Sequence, residues 1–188
     1  PGCVGTAQLT VNVTDIVVDA GVDFEVCDQS AVIQLGGSPS GGVWSGVNVA
    51  NGQFIPNGPG VYNLTYTYTV NPPGVPGGCA FMDEVQVTVN QLPSATVTPD
   101  LVICPGIQTT LVGTALNGEA PYNVSWLLGG NVLQTSNSTN PLNLNVSPVN
   151  TTTYNFEVVD NNGCEATNQV TVTTWEQPVA VSSPDVTI

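Results

Sequence analysis

No acidic side chain in this chain can find an ion-pair partner. The 188 residues carry fourteen Asp and Glu and not one Lys, Arg or His, for a formal net charge of −14. Each carboxylate is therefore expected either to sit in water or to bind a cation. The same absence excludes most catalytic chemistry. There is no ordinary general base near neutral pH, no Ser-His-Asp or Cys-His relay, and no Schiff-base nucleophile. Nothing clamps a phosphate, and the charge repels nucleic acid, so no nucleic-acid partner is expected. A Lys-Asn isopeptide staple is equally impossible. Carboxylate chemistry, cation binding and structural or adhesive work are what remain.

Charged residues make up only 7 % of the chain and hydrophobic ones 41 %, which is too apolar for a disordered polyanion. Val, Thr, Asn, Ser, Gly and Pro recur throughout, the composition of short strands joined by tight turns, whereas strong helix formers are scarce. The expected class is all-β. Five cysteines without a His or a CxxC pair point to disulfides instead of zinc, and so to a compartment outside a reducing cytosol. No run of 18 apolar residues occurs, so direct membrane insertion is not expected, and a secretion signal and any anchor are expected outside this segment.

Internal repetition organises the chain. Gly2-Cys3 followed by Thr6 to Val13 returns as Gly78-Cys79 with Glu84 to Val89, and again as Gly163-Cys164 with Asn168 to Thr173. A second landmark, Thr98-Pro99-Asp100-Leu101-Val102-Ile103-Cys104, returns as Ser183-Pro184-Asp185-Val186-Thr187-Ile188, with Ala20 to Cys27 as a looser first copy. This phasing reads residues 1–15 as the last strand of a preceding repeat and 16–92 as one whole repeat. Residues 93–177 form a second repeat, and 178–188 the first strand of a following one. Two cysteines bracket each whole repeat, which predicts the disulfides Cys27–Cys79 and Cys104–Cys164. Each closure is worth roughly 4 kcal/mol on the loop-entropy model. Cys3 is left unpaired in this segment, its partner expected in the missing preceding repeat or, alternatively, in a second chain.

Strand signals follow in the order a β-sandwich needs. In the second repeat these are Ala95–Thr98, Thr109–Val112, Tyr122–Leu127, Val132–Gln134, Leu142–Val146 and Thr153–Val158. The turn Asp160-Asn161-Asn162-Gly163 then leads into a closing strand. Val43-Trp44, Phe54, Tyr62–Val70 and Val85–Val89 fill matching places in the first repeat. Trp44 and Trp126 stand where an immunoglobulin-like sandwich carries its core Trp. The architecture expected is tandem immunoglobulin-like β-sandwiches in an extended array.

Gly60 to Thr67, Gly78-Cys79 and Val85 to Val89, together with Thr153 to Val159 and Asp160 to Cys164, resemble the Ig-like or PKD-like repeats of giant Bacteroidota surface proteins. Those include gliding-motility adhesins and long filaments exported by the type IX system. The resemblance implies an extracellular, cell-surface, non-enzymatic protein whose repeats act as a stalk or filament in adhesion, gliding or prey and cell attachment. Its partners would be neighbouring repeats of the same chain and other copies packed side by side in a homo-oligomeric filament. The alternative is a ligand-binding Ig-like module that recognises a glycan or protein receptor.

Individual sites are weaker. Asp15, Asp19, Asp23, Glu25 and Asp28 cluster in sequence near the start of the first whole repeat, and Asp160 and Asn161 sit on a hairpin tip. Calcium is possible at Asp15, Asp19, Asp160 and Asn161, although no DxDxDG loop occurs; no other cofactor is expected. Asp83 and Glu84, neighbours on a strand, point to opposite faces and do not form an acid/base pair. Six Asn-x-Ser/Thr sequons, at Asn12, Asn63, Asn123, Asn137, Asn145 and Asn150, read as by-products of composition. Tyr66, Tyr68, Trp175 and the loop 71–76 are candidates for an exposed contact patch, with Trp175 placed to stiffen a joint between repeats. Thr65, Thr67 and Thr69 form an outward row.

Overall fold

The structure, a computed structural model, describes residues 2, 5, 15–73 and 75–176. Cys3, and the whole of 178–188, lie outside the described residues, as do most of 1–15. The described chain is all-β and divides into two compact units. Unit 1 is built from residues up to Phe24, Ala31–Ile55 and Val61–Val87, and unit 2 from Glu25–Ser30, Pro56–Gly60 and the chain from Thr88 onward.

The first seven strands are β1 (Phe24–Cys27), β2 (Ile33–Gln34), β3 (Val43–Ser45), β4 (Val49–Ala50), β5 (Gln53–Phe54), β6 (Gly60–Val70) and β7 (Cys79–Asn90). They form a four-stranded sheet in the order β1-β7-β6-β3 and a three-stranded one in the order β2-β5-β4. Period-two alternation decides which residues go inward. Leu64 and Tyr66 on β6 and Val85 and Val87 on β7 are buried, and Phe54 on β5 is fully so. Phe54 meets Tyr62 of the other sheet edge-on at 5.4 Å between ring centroids. Trp44, opposite Tyr66 in register, lies 5.1 Å from its ring.

Tyr66 is a correction to the expected exposed patch. Its ring covers Gly37 and Gly42, its hydroxyl donates to the Pro39 carbonyl, and the Gly42 N–H donates to that hydroxyl at 2.8 Å. A Cβ on Gly37 would stand 2.6 Å from the Tyr66 ring, so the absence of a side chain there is what lets loop and ring close together.

The later strands are β8 (Pro93–Val97), β9 (Leu101–Ile103), β10 (Thr109–Asn117), β11 (Asn123–Leu128), β12 (Asn131–Ser136), β13 (Leu142–Val146), β14 (Thr152–Val159) and β15 (Glu165–Thr174). They make sheets in the orders β13-β10-β8 and β12-β11-β14-β15-β9. The opening segment is split between the two sheets. β8 pairs antiparallel with β10, Pro99 interrupts, and β9 crosses to pair parallel with β15, Leu101 opposite Val172 and Ile103 beside Thr174. Proline has no N–H for a ladder, so the crossing occurs where pairing would in any case fail. This is an immunoglobulin-like sandwich.

Its core joins Leu111, Val124, Trp126, Leu144, Phe156 and Val172, among others. Trp126 is fully buried, stacks on Phe156 at 5.0 Å and donates its indole N–H to the Leu142 carbonyl at 3.0 Å, tying the two sheets together. The aromatic pair Trp126/Phe156 sits in register as Trp44/Tyr66 does. Burial pushes the Tyr154 hydroxyl above its ordinary pKa of 10.0.

Gly36 and Gly37 provide a matched test, because a Cβ at Gly36 meets nothing within 4 Å and neither glycine has a positive φ. Gly37→Ala is expected to lower stability in urea unfolding by about 1–3 kcal/mol through overpacking, and Gly36→Ala to stay within about 0.5 kcal/mol of the parent.

Candidate functional site

Most of the carboxylates face solvent, as expected, and Asp160 is the exception among the described residues. Several also hold backbone N–H groups. The Asp23 Oδ1 accepts the Gln86 N–H at 2.8 Å, and the Asp100 Oδ1 accepts the Thr171 N–H at the same distance. These are one feature seen twice. Asp23 and Asp100 each stand four residues before the first cysteine of a repeat, and Gln86 and Thr171 each stand seven after the second. In each repeat an Asp at the start of the opening strand pins the closing strand beside it. The Ala20 N–H donates to Asp83, and those of Gln29 and Gly58 to Asp28. Such charge-assisted bonds are stronger than neutral ones.

Asp160 is the most developed case and the one buried acid among the described residues, at 5 % exposure. Its Oδ1 accepts the N–H groups of Asn162 at 2.9 Å and Cys164 at 2.8 Å, and its Oδ2 accepts that of Glu119 at 3.1 Å. Gly163, at φ 77°, closes the turn with an N–H bond to the Asp160 carbonyl. The carboxylate expected as a calcium ligand is thus engaged with three backbone donors, two from its own turn and one from Glu119. Asp19, another calcium candidate, accepts the Gly21 N–H, while Asp15 and Asn161 are exposed. Asp15 and Asp19 belong to unit 1, and Asp160 and Asn161 to unit 2. Among the described residues, no group of three or more His, Cys, Asp or Glu converges to hold a metal.

The cysteines pair otherwise than expected. Cys27 is bonded to Cys164, with a Cα–Cα distance of 5.6 Å, while Cys79 and Cys104 are exposed thiols. The pairs Cys27–Cys79 and Cys104–Cys164 are therefore corrected, and strand direction gives the reason. Cys164 immediately precedes β15, whereas β9 runs parallel to β15 and delivers Cys104 beside its far end, where the Trp175 N–H donates to the Ile103 carbonyl. Ten strand residues at about 3.3 Å each put roughly 33 Å between the two ends, and a disulfide needs Cα atoms within about 7 Å. Likewise Cys79 opens the twelve-residue β7, and Cys27 lies by its other end, where the Asp28 N–H donates to the Asn90 carbonyl.

The remaining candidates stay apart. Asp83 binds the Ala20 N–H and Glu84 the Thr65 hydroxyl, as opposite faces of one strand require. Trp175 is 66 % exposed and lines a shallow groove with Pro105, Val149 and Glu176. A polar groove on the β14/β15 face is lined by Asn155, Glu157, Thr167, Asn168 and Gln169. Asn12 lies outside the described residues, and the other five sequon asparagines are exposed.

No family model and no curated protein matches the sequence. Among solved structures the chain is similar to the fibronectin(III)-like modules of Clostridium thermocellum CbhA, at 12 % identity and a TM-score of 0.42 over 89 % of this chain and 99 % of that one. It is also similar to a titin I-band fragment, at 16 % identity and a TM-score of 0.39 over 81 % of this chain and 62 % of that one. An ICAM-5 ectodomain fragment gives 13 % and 0.38, over 89 % of this chain and 51 % of that one. The chain therefore spans less than two thirds of the titin and ICAM-5 fragments. At such values the likeness adds nothing to the immunoglobulin-like topology already described.

Two outcomes follow. Asp160→Ala strands three N–H donors, one of them on buried Cys164, and is expected to cost about 2–4 kcal/mol in urea unfolding. In a denatured, thiol-blocked digest with a glutamate-specific protease, peptide 158–165 is expected joined to peptide 26–84, with a second cut at the aromatic residues of 54–68 assigning the bond to Cys27. Its attachment to peptide 85–119 would restore the in-repeat pairing.

Proposed function

We propose that this chain is a structural, non-enzymatic segment of a long extracellular repeat protein, a stalk or filament that serves surface adhesion, gliding or attachment to cells. The observation that carries the reading is the Cys27–Cys164 bond, which joins the opening strand of one sequence repeat to the closing hairpin of the next. A disulfide of this kind supports residence outside a reducing cytosol. Repetition of the Asp23 and Asp100 clamps supports a chain made by copying one module. Surface display of the kind used by Bacteroidota adhesins, with type IX export and side-by-side packing of copies, fits the low density of charge, because chains can associate without desolvating ions.

The second reading, a module that recognises a glycan or protein receptor, draws on the polar groove of the β14/β15 face. A glycan array probed with the chain tests it, and binding lost in Glu157→Ala would favour it.

The stalk reading is tested on native material with an antibody raised to this chain. A single reduced polypeptide far larger than 19.4 kDa is the expected outcome. A reduced band at 19.4 kDa would overturn it.

A further inference from the structure

The cysteines of the array are of two kinds. Cys27 and Cys104 end the opening landmark, four residues after Asp23 and Asp100, whereas Cys79 and Cys164 precede the closing strand, seven residues before Gln86 and Thr171. The bond present joins a cysteine of the first kind to one of the second kind from the following repeat. Bonding inside a repeat is barred wherever the opening strand runs parallel to the closing one, because the two cysteines then lie at opposite ends of that strand.

We propose that this pairing recurs, so that every cysteine of the first kind is bonded to the second-kind cysteine of the next repeat and the array carries a staggered ladder of disulfides. The proposal rests on reading the chain as part of a longer array. Cys104 and Cys79 are the open ends of the ladder in this segment. Cys104 takes a second-kind cysteine from a repeat that follows, and Cys79 takes a first-kind cysteine from one that precedes. Exposure agrees with this: Cys164, whose rung is closed, is 1 % exposed, whereas Cys79 and Cys104 are open to solvent. Beside Cys104, Pro105, Val149 and Trp175 share a groove with Asn150, Thr174 and Glu176, and Val149 and Trp175 are largely uncovered. Cys3, in the Gly2-Cys3 copy of the closing landmark, is of the second kind by sequence.

Each rung forms when two thiols lose two protons and two electrons and gain one S–S bond. A disulfide oxidant, either an exported dithiol oxidoreductase or oxidised glutathione, accepts both and becomes two thiols.

The test extends the full chain in register. Ser183–Ile188 matches Thr98–Ile103, so a second copy of residues 104–176 is placed after Ile188, with Asn162→Ser in the added copy to mark its 158–165 peptide by mass. The protein is refolded in a glutathione redox buffer, its free thiols are blocked, and it is cut by the glutamate-specific protease. The expected product is the marked peptide joined to peptide 85–119, with Cys104 no longer blocked as a thiol and the added copy of Cys104 blocked in its place. A bond between the two added cysteines overturns the proposal, as does Cys104 recovered as a blocked thiol. The unmarked 158–165 peptide joined to 26–84 reports in the same digest that the parent pairing is intact. A failed ladder is thereby told apart from a failed fold, and the size of the native polypeptide judges the array reading separately.

Discussion

A carboxylate without a cation can still be held by the backbone, and this chain depends on that. With no Lys, Arg or His, the charge on Asp160 is met by three N–H donors arranged by its own turn and by Glu119. The turn in turn holds Cys164 where a disulfide can reach it. Asp23 and Asp100 do the same work along the edge of a sheet, each bonding one N–H of the closing strand. The donors these acids take are ones that a parallel strand of three or four residues leaves unfilled, so acid and short strand are complementary parts of one device.

Strand direction then decides the covalent framework. β9 is only three residues long, but it runs parallel to β15 and places Cys104 at the opposite end of the sandwich from Cys164. An antiparallel pairing would have brought those cysteines together. The choice is made by Pro99, which ends pairing with β10 and sends the chain across to the other sheet, and by Asp100, which anchors it on arrival.

Much of the sandwich was legible in the sequence because it is written in alternation. β13 falls on Leu142–Val146 as expected, the Asn162-Gly163 turn closes its hairpin, and Trp126 is a core residue. β9 was not separately legible, since three apolar residues after a proline carry no period and no sign of parallel pairing, and the cysteine pairs went wrong with it. Tyr66 was misread as surface because its place depends on Gly37 and Gly42, which approach it from a distant loop. The backbone bonds of the acids, and the burial of Asp160, were not legible for a different reason. Composition counts ionic partners, but it does not count main-chain donors.

The bond between Cys27 and Cys164 also settles where mechanical tension can go. When the chain is pulled from its two ends, force passes from one sulfur to the other, and residues 28–163 lie within a closed loop that carries none of it. The loop spans a separation of 137 residues, roughly 480 Å of contour length at about 3.5 Å per residue. That length stays in reserve until the sulfur–sulfur bond is reduced, so the extensibility of the segment is governed by thiol chemistry before it is governed by the unfolding of the sheets inside the loop.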